Sequence, residues 1–319
     1  MENISRQNII KQIEKKNYLK NLIDFFNKKT TYFLNSNDVN SEIDIVLCFR
    51  NSSYTVTVTQ ENIRSRNETK IVNKSGINNS INILDDFFKH NKNSECYAKF
   101  IELKNCLEKN IFTQNCDVDC EKYEYIKLWK DQDFESDNIE GIKNVIIDPL
   151  GLYISDGIYD ENDKTLYKCK VLLFCDKIIN VAANKGLIAG ALFEKVLVHE
   201  LAHAFHHIGL DSKGKINPNF HKFDRYIQEG FANYMVYEFI NYSLITKFNK
   251  TDLEEAFKKG TSGGGPYGKY LDWINKKYSI LAITTANNHF RYLDLKTSAK
   301  IYCNDFETEI DRIKAYSNI

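Results

Sequence analysis

The run Val196-Leu197-Val198-His199-Glu200-Leu201-Ala202-His203-Ala204-Phe205-His206 constrains this chain more than any other stretch. Leu187, Ile188, Leu192, Val196, Leu201, Ala204, Phe205 and Ile208 recur with a helical period through it, which predicts a buried helix, and Gly209 stands where a C-terminal cap belongs. His199 and His203, four positions apart, then lie one turn apart on one face, so both imidazoles can reach a single ion about 2.0 to 2.1 Å away. Glu200 falls beside that ion rather than on it, where a carboxylate can take a proton from metal-bound water. Chance yields His-Glu-x-x-His in about one chain in a hundred of this His and Glu content. Two imidazoles and a carboxylate are costly in so apolar a helix unless they have a partner, which favours a zinc site over packing.

A catalytic zinc takes three protein ligands and keeps one position open, so a third ligand is needed. The stretch from Asp224 to Ile240 reads as a second amphipathic helix, with Glu229 and Asn233 one turn apart on one face. Glu229 is the expected ligand, and Asn233 is placed to accept a hydrogen bond from the second nitrogen of a ligand imidazole. His221 and Asp224, between the two helices, are the rival ligands. His206 lies too far along a straight helix to share the ion, and Gly209 occupies the position where a metzincin would carry its third histidine.

With these residues the chain resembles the gluzincin branch of zinc metallopeptidases, in which a His-Glu-x-x-His helix is completed by a glutamate from a later helix. Gln228-Glu229-Gly230-Phe231-Ala232-Asn233-Tyr234 is similar to the Glu-Gly-x-Ala-x-Tyr segment of that group, and its Glu-x-x-Ala-Asn core is similar to that of ImmA/IrrE-type bacterial regulatory peptidases. Gly265-Pro266-Tyr267-Gly268-Lys269-Tyr270-Leu271 resembles the tyrosine-bearing helix start that follows the glutamate helix in several of these families. The likeness covers residues 150 to 280. It implies a zincin-like fold, a tyrosine donor to the oxyanion, and a substrate-pairing edge strand at Lys170–Cys175.

At 319 residues the chain has room for one large domain or two ordinary ones. Equal numbers of acidic and basic residues give a net charge of zero, and the basic ones are scattered, so nothing motivates a nucleic-acid partner. The N-terminal residues lack the apolar core of a signal peptide, and no stretch is long and apolar enough to span a membrane. Eight dispersed cysteines, Cys116 and Cys120 among them, read as free thiols. A cytoplasmic location is therefore expected.

Helical rhythm is expected over residues 8 to 28, a β-hairpin from Ile43–Phe49 and Tyr54–Thr59, and helix again over 81 to 110. An irregular stretch over 112 to 140 suggests a boundary, dividing an N-terminal α+β region (1–138) from a zinc metallopeptidase domain (139–319) in an α+β fold. Strands are expected at Gly151–Tyr159 and Leu166–Cys175, and an amphipathic helix at Phe306–Ala315. Gly263 to Lys269 matches a phosphate-binding loop by letter, but Tyr270 stands where Ser or Thr must bind magnesium, so a nucleotide loop is rejected.

The expected activity is hydrolysis of a peptide bond in a protein or peptide substrate. His199, His203 and Glu229 hold Zn²⁺, Glu200 is the general base, and Tyr267, with Tyr270 and Tyr234 as alternatives, stabilises the oxyanion. Two other readings stay open: a zinc-bearing regulator or adaptor that hydrolyses nothing, and a toxin-like effector protease.

Overall fold

A computed structural model describes residues 6–15, 17–49, 52–69, 150–161, 164–242, 246, 248–260, 265–296 and 298–317. The expectations at residues 81 to 110 and 112 to 140, at Cys96, Cys106, Cys116 and Cys120, and the boundary between 138 and 139, lie outside them.

Alternation of apolar and polar residues builds a mixed five-stranded sheet. Its strands are β1 (Val39–Phe49), β2 (Ser52–Val58), β3 (Ile63–Thr69), β4 (Gly151–Glu161) and β5 (Lys164–Phe174), in spatial order β3-β2-β1-β5-β4. The expected hairpin forms with Phe49 opposite Ser52 and Ile43 opposite Val58. β1 and β5 run parallel, Ile43 beside Cys169 and Leu47 beside Leu173, while the other pairs are antiparallel. Described segments from both sides of the expected domain boundary thus share one sheet.

Side chains two apart take the same face. Ile43, Ile45, Leu47 and Phe49 of β1, with Cys169, Val171 and Leu173 of β5, enter the main core, whereas Cys48, Ile154, Leu172 and Phe174 form a smaller cluster on the opposite face. The helices pack on the first face. The rhythm at the N-terminus resolves into two helices, α1 (Arg6–Ile13) and α2 (Tyr18–Thr30), and Phe26 of α2 stacks on Phe205 at 4.7 Å.

After β5 comes α3 (Cys175–Lys185), closed by Gly186 in the left-handed region at φ 63°, a conformation that glycine adopts without strain. Then α4 (Ala189–Ile208) carries the His-Glu-x-x-His run, and all of its residues are buried. Gly209 does not cap it in a left-handed conformation, because its backbone is extended at φ −63° and ψ 127°. Its role is close approach: a Cβ there would lie 2.4 Å from the Phe205 carbonyl oxygen and 2.9 Å from Tyr32 Cβ.

The remaining helices are α5 (Arg225–Tyr242), α6 (Lys250–Gly260), α7 (Lys269–Asn275), α8 (Ile280–Arg291) and α9 (Cys303–Ser317). Single 3₁₀ turns at Phe220–Lys222 and Gly265–Gly268 precede α5 and α7. The expected C-terminal helix is α9, with Phe306 and Ile310 in the core. No helix among the described residues is long and apolar enough to cross a membrane.

One expectation about the sheet is corrected. β5 is not an edge strand, since β1 and β4 pair along both of its sides. The edge nearest the metal helix is β4, and α3 intervenes between β5 and α4.

Candidate functional site

Two helices bring three ligand groups together. The Nε2 atoms of His199 and His203 lie 3.3 Å apart, and Glu229 Oε2 stands 3.1 Å from the first and 3.7 Å from the second. Among the described residues these three form the one group of metal-capable side chains whose ligand atoms lie within 4.8 Å of one another. Glu229 reaches the site because α5 packs closely on its surroundings. A Cβ at Gly230 would sit 3.1 Å from the Trp273 ring and 3.2 Å from Lys269 Cβ, so the residue after the glutamate must be small.

The rival ligands have other occupations. Asp224 caps α5, accepting from the Ile227 N–H at 3.0 Å, and its other oxygen accepts from the Cys303 N–H at 2.7 Å. His221 packs edge-on against His207, with ring centroids 4.7 Å apart. His206 is buried among Phe220, Phe223 and Phe231, about two turns beyond His199 along α4.

Asn233 decides the tautomer of one ligand. Its Nδ2 donates to the Tyr267 carbonyl at 2.8 Å, which turns Oδ1 toward His199 Nδ1 at 2.9 Å. An amide oxygen only accepts, so the proton of a neutral His199 sits on Nδ1 and the Nε2 lone pair faces the cluster. Burial pulls the His199 pKa down to about 4, against the opposing influence of the neighbouring Glu229 carboxylate. Burial also opposes ionisation of Glu229, but the two imidazoles beside it hold its carboxyl well below the usual range. Burial pulls His203 down too, yet the neighbouring Glu229 carboxylate outweighs it and raises that imidazole.

With Nε2 of His199 an acceptor, it cannot donate across the 3.1 Å to Glu229 Oε2, and that buried oxygen makes no hydrogen bond. Lone pairs converging on one point repel until a cation lies between them. Two imidazoles and a carboxylate are therefore a fitting cradle for zinc and for other first-row divalent ions.

Glu200 points from the same helix toward β4. A Cβ on Gly151 would lie 2.7 Å from Glu200 Cγ and 2.9 Å from Oε1, so only glycine lets the strand approach this closely. The carboxylate accepts from the Tyr153 backbone N–H, and burial raises its pKa to about 7 against the positive charges of His203 and Lys195. A carboxyl poised near neutrality suits proton transfer in either direction.

The three tyrosines now separate. Tyr234 is buried and donates to the Tyr278 carbonyl at 2.6 Å, which makes it a packing residue. Tyr270 is buried with its ring 4.9 Å from Phe257. Tyr267 alone of the three borders the ligands. Its ring centroid is 6.3 Å from that of His199, its hydroxyl accepts from Arg225 Nη2 at 2.9 Å, and it remains 36 % exposed. Burial and the charge of Glu229 raise its pKa to about 12, so the phenol keeps a proton to donate.

Sequence reasoning passed over Gly151, Tyr153, Arg225 and Lys195. Lys195 stands four residues before His199, on the ligand face, and that spacing was the available signal. Arg225 reaches Glu229 Oε1 at 3.7 Å, again at a spacing of four. Gly151 and Tyr153 belong to a strand distant in sequence, and nothing local marks them. Comparison of the chain with protein-family models, curated proteins and solved structures found no match.

Proposed function

We propose that this chain is a zinc-dependent peptidase of the gluzincin type, with a zincin-like fold, acting on a protein or peptide substrate. The observation that carries the reading is the division of labour among His199, Glu200 and His203, which are buried, and Glu229, which is half-buried. His199, His203 and Glu229 present lone pairs to one point, while Glu200, one residue from a ligand, turns aside to β4. A site that only held a metal for structure would have no use for a carboxylate kept beside it near neutral pKa.

Bound in this cradle, zinc supplies Lewis acidity, which brings the pKa of a water toward about 7 and polarises a carbonyl. Glu200 accepts a proton from water and returns it to the departing amine, both transfers being close to balanced at a pKa of about 7. Tyr267 donates its phenolic proton in a hydrogen bond to the oxygen on which charge develops, with Arg225 holding the phenol at 2.9 Å. Asn233 keeps His199 in its ligand tautomer and tethers the backbone of Tyr267, so ligand and donor are positioned by one amide. β4, an edge of the sheet among the described residues, would offer main-chain groups to an extended substrate. Among the described residues the buried cysteines Cys48, Cys169, Cys175 and Cys303 form no disulfide with one another, which accords with a reducing compartment such as the cytoplasm.

The reading is tested by stripping the metal with a chelator and restoring it. Peptide cleavage should vanish with the metal and return with about one equivalent of Zn²⁺. Cleavage indifferent to chelation, or a cradle that takes up no zinc, would overturn it.

A further inference from the structure

Lys195 lies one turn before His199, so residues 195, 199 and 203 form one line along α4. The lysine is only 8 % exposed. Burial holds its pKa below the usual lysine range, although the charges of Glu200 on its own helix and Glu229 on α5 favour the ammonium. Yet among the described residues no carboxylate comes within ion-pair distance of it. Glu229 is engaged with His199, His203 and Arg225, and Glu200 rests on Gly151 and the Tyr153 N–H. Its stem is buried, but its Nζ is not among the polar atoms sealed from solvent without a partner, so the ammonium is open to a ligand arriving from outside.

The charges of the site point the same way. A divalent ion is balanced by Glu200 and Glu229, leaving Lys195 and Arg225 as surplus positive charge. Arg225 has a side chain 46 % exposed to water and a phenol as partner, so its charge is already served. Lys195 has neither. A neutral stretch of peptide would leave it uncompensated, whereas an anionic one would complete it.

We propose that Lys195 is a specificity residue that binds a carboxylate carried by the substrate near the bond that is cut. This rests on the peptidase reading above. The carboxylate belongs either to an acidic side chain or to the substrate's own C-terminus, since both present the same group to the ammonium.

The test uses peptide pairs that differ only by Glu against Gln around a cleaved bond, each made with a free and with an amidated C-terminus. Wild-type protein should prefer the acidic member by about tenfold or more in kcat/KM, as expected for one charge-assisted contact. Lys195→Met, with zinc content verified, should bring that ratio to about one, and Lys195→Arg should restore part of it. Preference that survives amidation assigns the carboxylate to a side chain; preference for the free end alone assigns it to the terminus. Binding gives an independent readout. A Glu200→Gln protein should bind the acidic peptide more tightly than its Gln partner, and adding Lys195→Met should erase the difference. If the Met variant does not fold, Lys195→Gln makes the same comparison.

Equal cleavage of both members by wild type, or a preference untouched in a zinc-loaded Lys195 variant, overturns the inference while leaving the peptidase standing. A zinc-loaded wild type that cuts none of the peptides removes the peptidase reading, and the inference with it.

Discussion

Helix α4 puts four histidines to two uses within three turns. His199 and His203 face Glu229 and Asn233, which leave their lone pairs pointed at a common space. His206 and His207 face aromatic rings instead, His207 stacked on Phe220 at 4.7 Å and bonded through Nδ1 to the Tyr153 hydroxyl at 2.6 Å. Burial is nearly the same for both pairs, from 0 to 7 % exposure. The difference is made by what stands opposite. A carboxylate held ionised fits an imidazole to hold a metal, and a wall of phenylalanines makes it a neutral filler. Histidine content alone is thus no guide to a metal, and a partner helix at the right distance is.

The largest effect expected from this contrast is on metal content. Glu229→Ala should reduce zinc from about one ion per chain to nearly none, whereas His206→Leu, further along the same helix, should keep it all. Metal analysis after gel filtration decides, and a His206 variant that loses zinc while folded would dissolve the distinction between the two pairs. Next in size is Tyr267→Phe, which should lower kcat by about 10²-fold at unchanged zinc content. Tyr234→Phe should leave kcat alone and cost about 1 kcal/mol of stability through its lost bond to the Tyr278 carbonyl. Reversal of these two outcomes would return Tyr267 to packing. Asn233→Ala, which frees the His199 tautomer, should weaken zinc binding by about 10- to 100-fold.

The smallest effect concerns the filler pair and pH. Burial, with the charges of His221 and Arg291, lowers the His207 pKa to about 3, below its ordinary value in the unfolded chain of about 6.5. Between those values the unfolded chain binds a proton that the folded one refuses. His207 therefore contributes full stability above about pH 6.5, and that contribution drains away as pH falls toward about 3, by about 1.4 kcal/mol per pH unit. Chemical unfolding of wild type and His207→Gln across this window should show a shallower loss in the variant, which keeps an acceptor for Tyr153. Equal slopes would mean that His207 is not held neutral by its surroundings.

What could be read from the residues followed how local the signal was. The spacing of four in His199 and His203, and again in Glu229 and Asn233, marks helix faces, and α4 and α5 bring those faces together. The β1–β2 hairpin was equally legible, because alternation and a short turn lie within one stretch. Pairing between distant segments was not. The parallel union of β1 with β5 joins residues more than a hundred positions apart, and no local pattern says which strand lies inside the sheet, so β5 was wrongly expected at an edge. Asp224 illustrates the same limit on the scale of one side chain. Its position before α5 signals a cap as well as a ligand, and only its tie to the Cys303 N–H, from a remote segment, settles the choice. Gly151 is invisible for a like reason, since its lack of a side chain matters only once β4 lies against Glu200.

The central claim is that three residues hold the metal while a fourth, beside them, moves the proton. Glu200→Gln tests it most directly, because the amide preserves size and most hydrogen bonding but accepts no proton. Zinc content and peptide turnover should be measured on one preparation of this variant. The account predicts about one zinc per chain, as in wild type, with turnover lower by about 10²- to 10⁴-fold. Zinc-loaded Glu200→Gln protein that cleaves at the wild-type rate would contradict it.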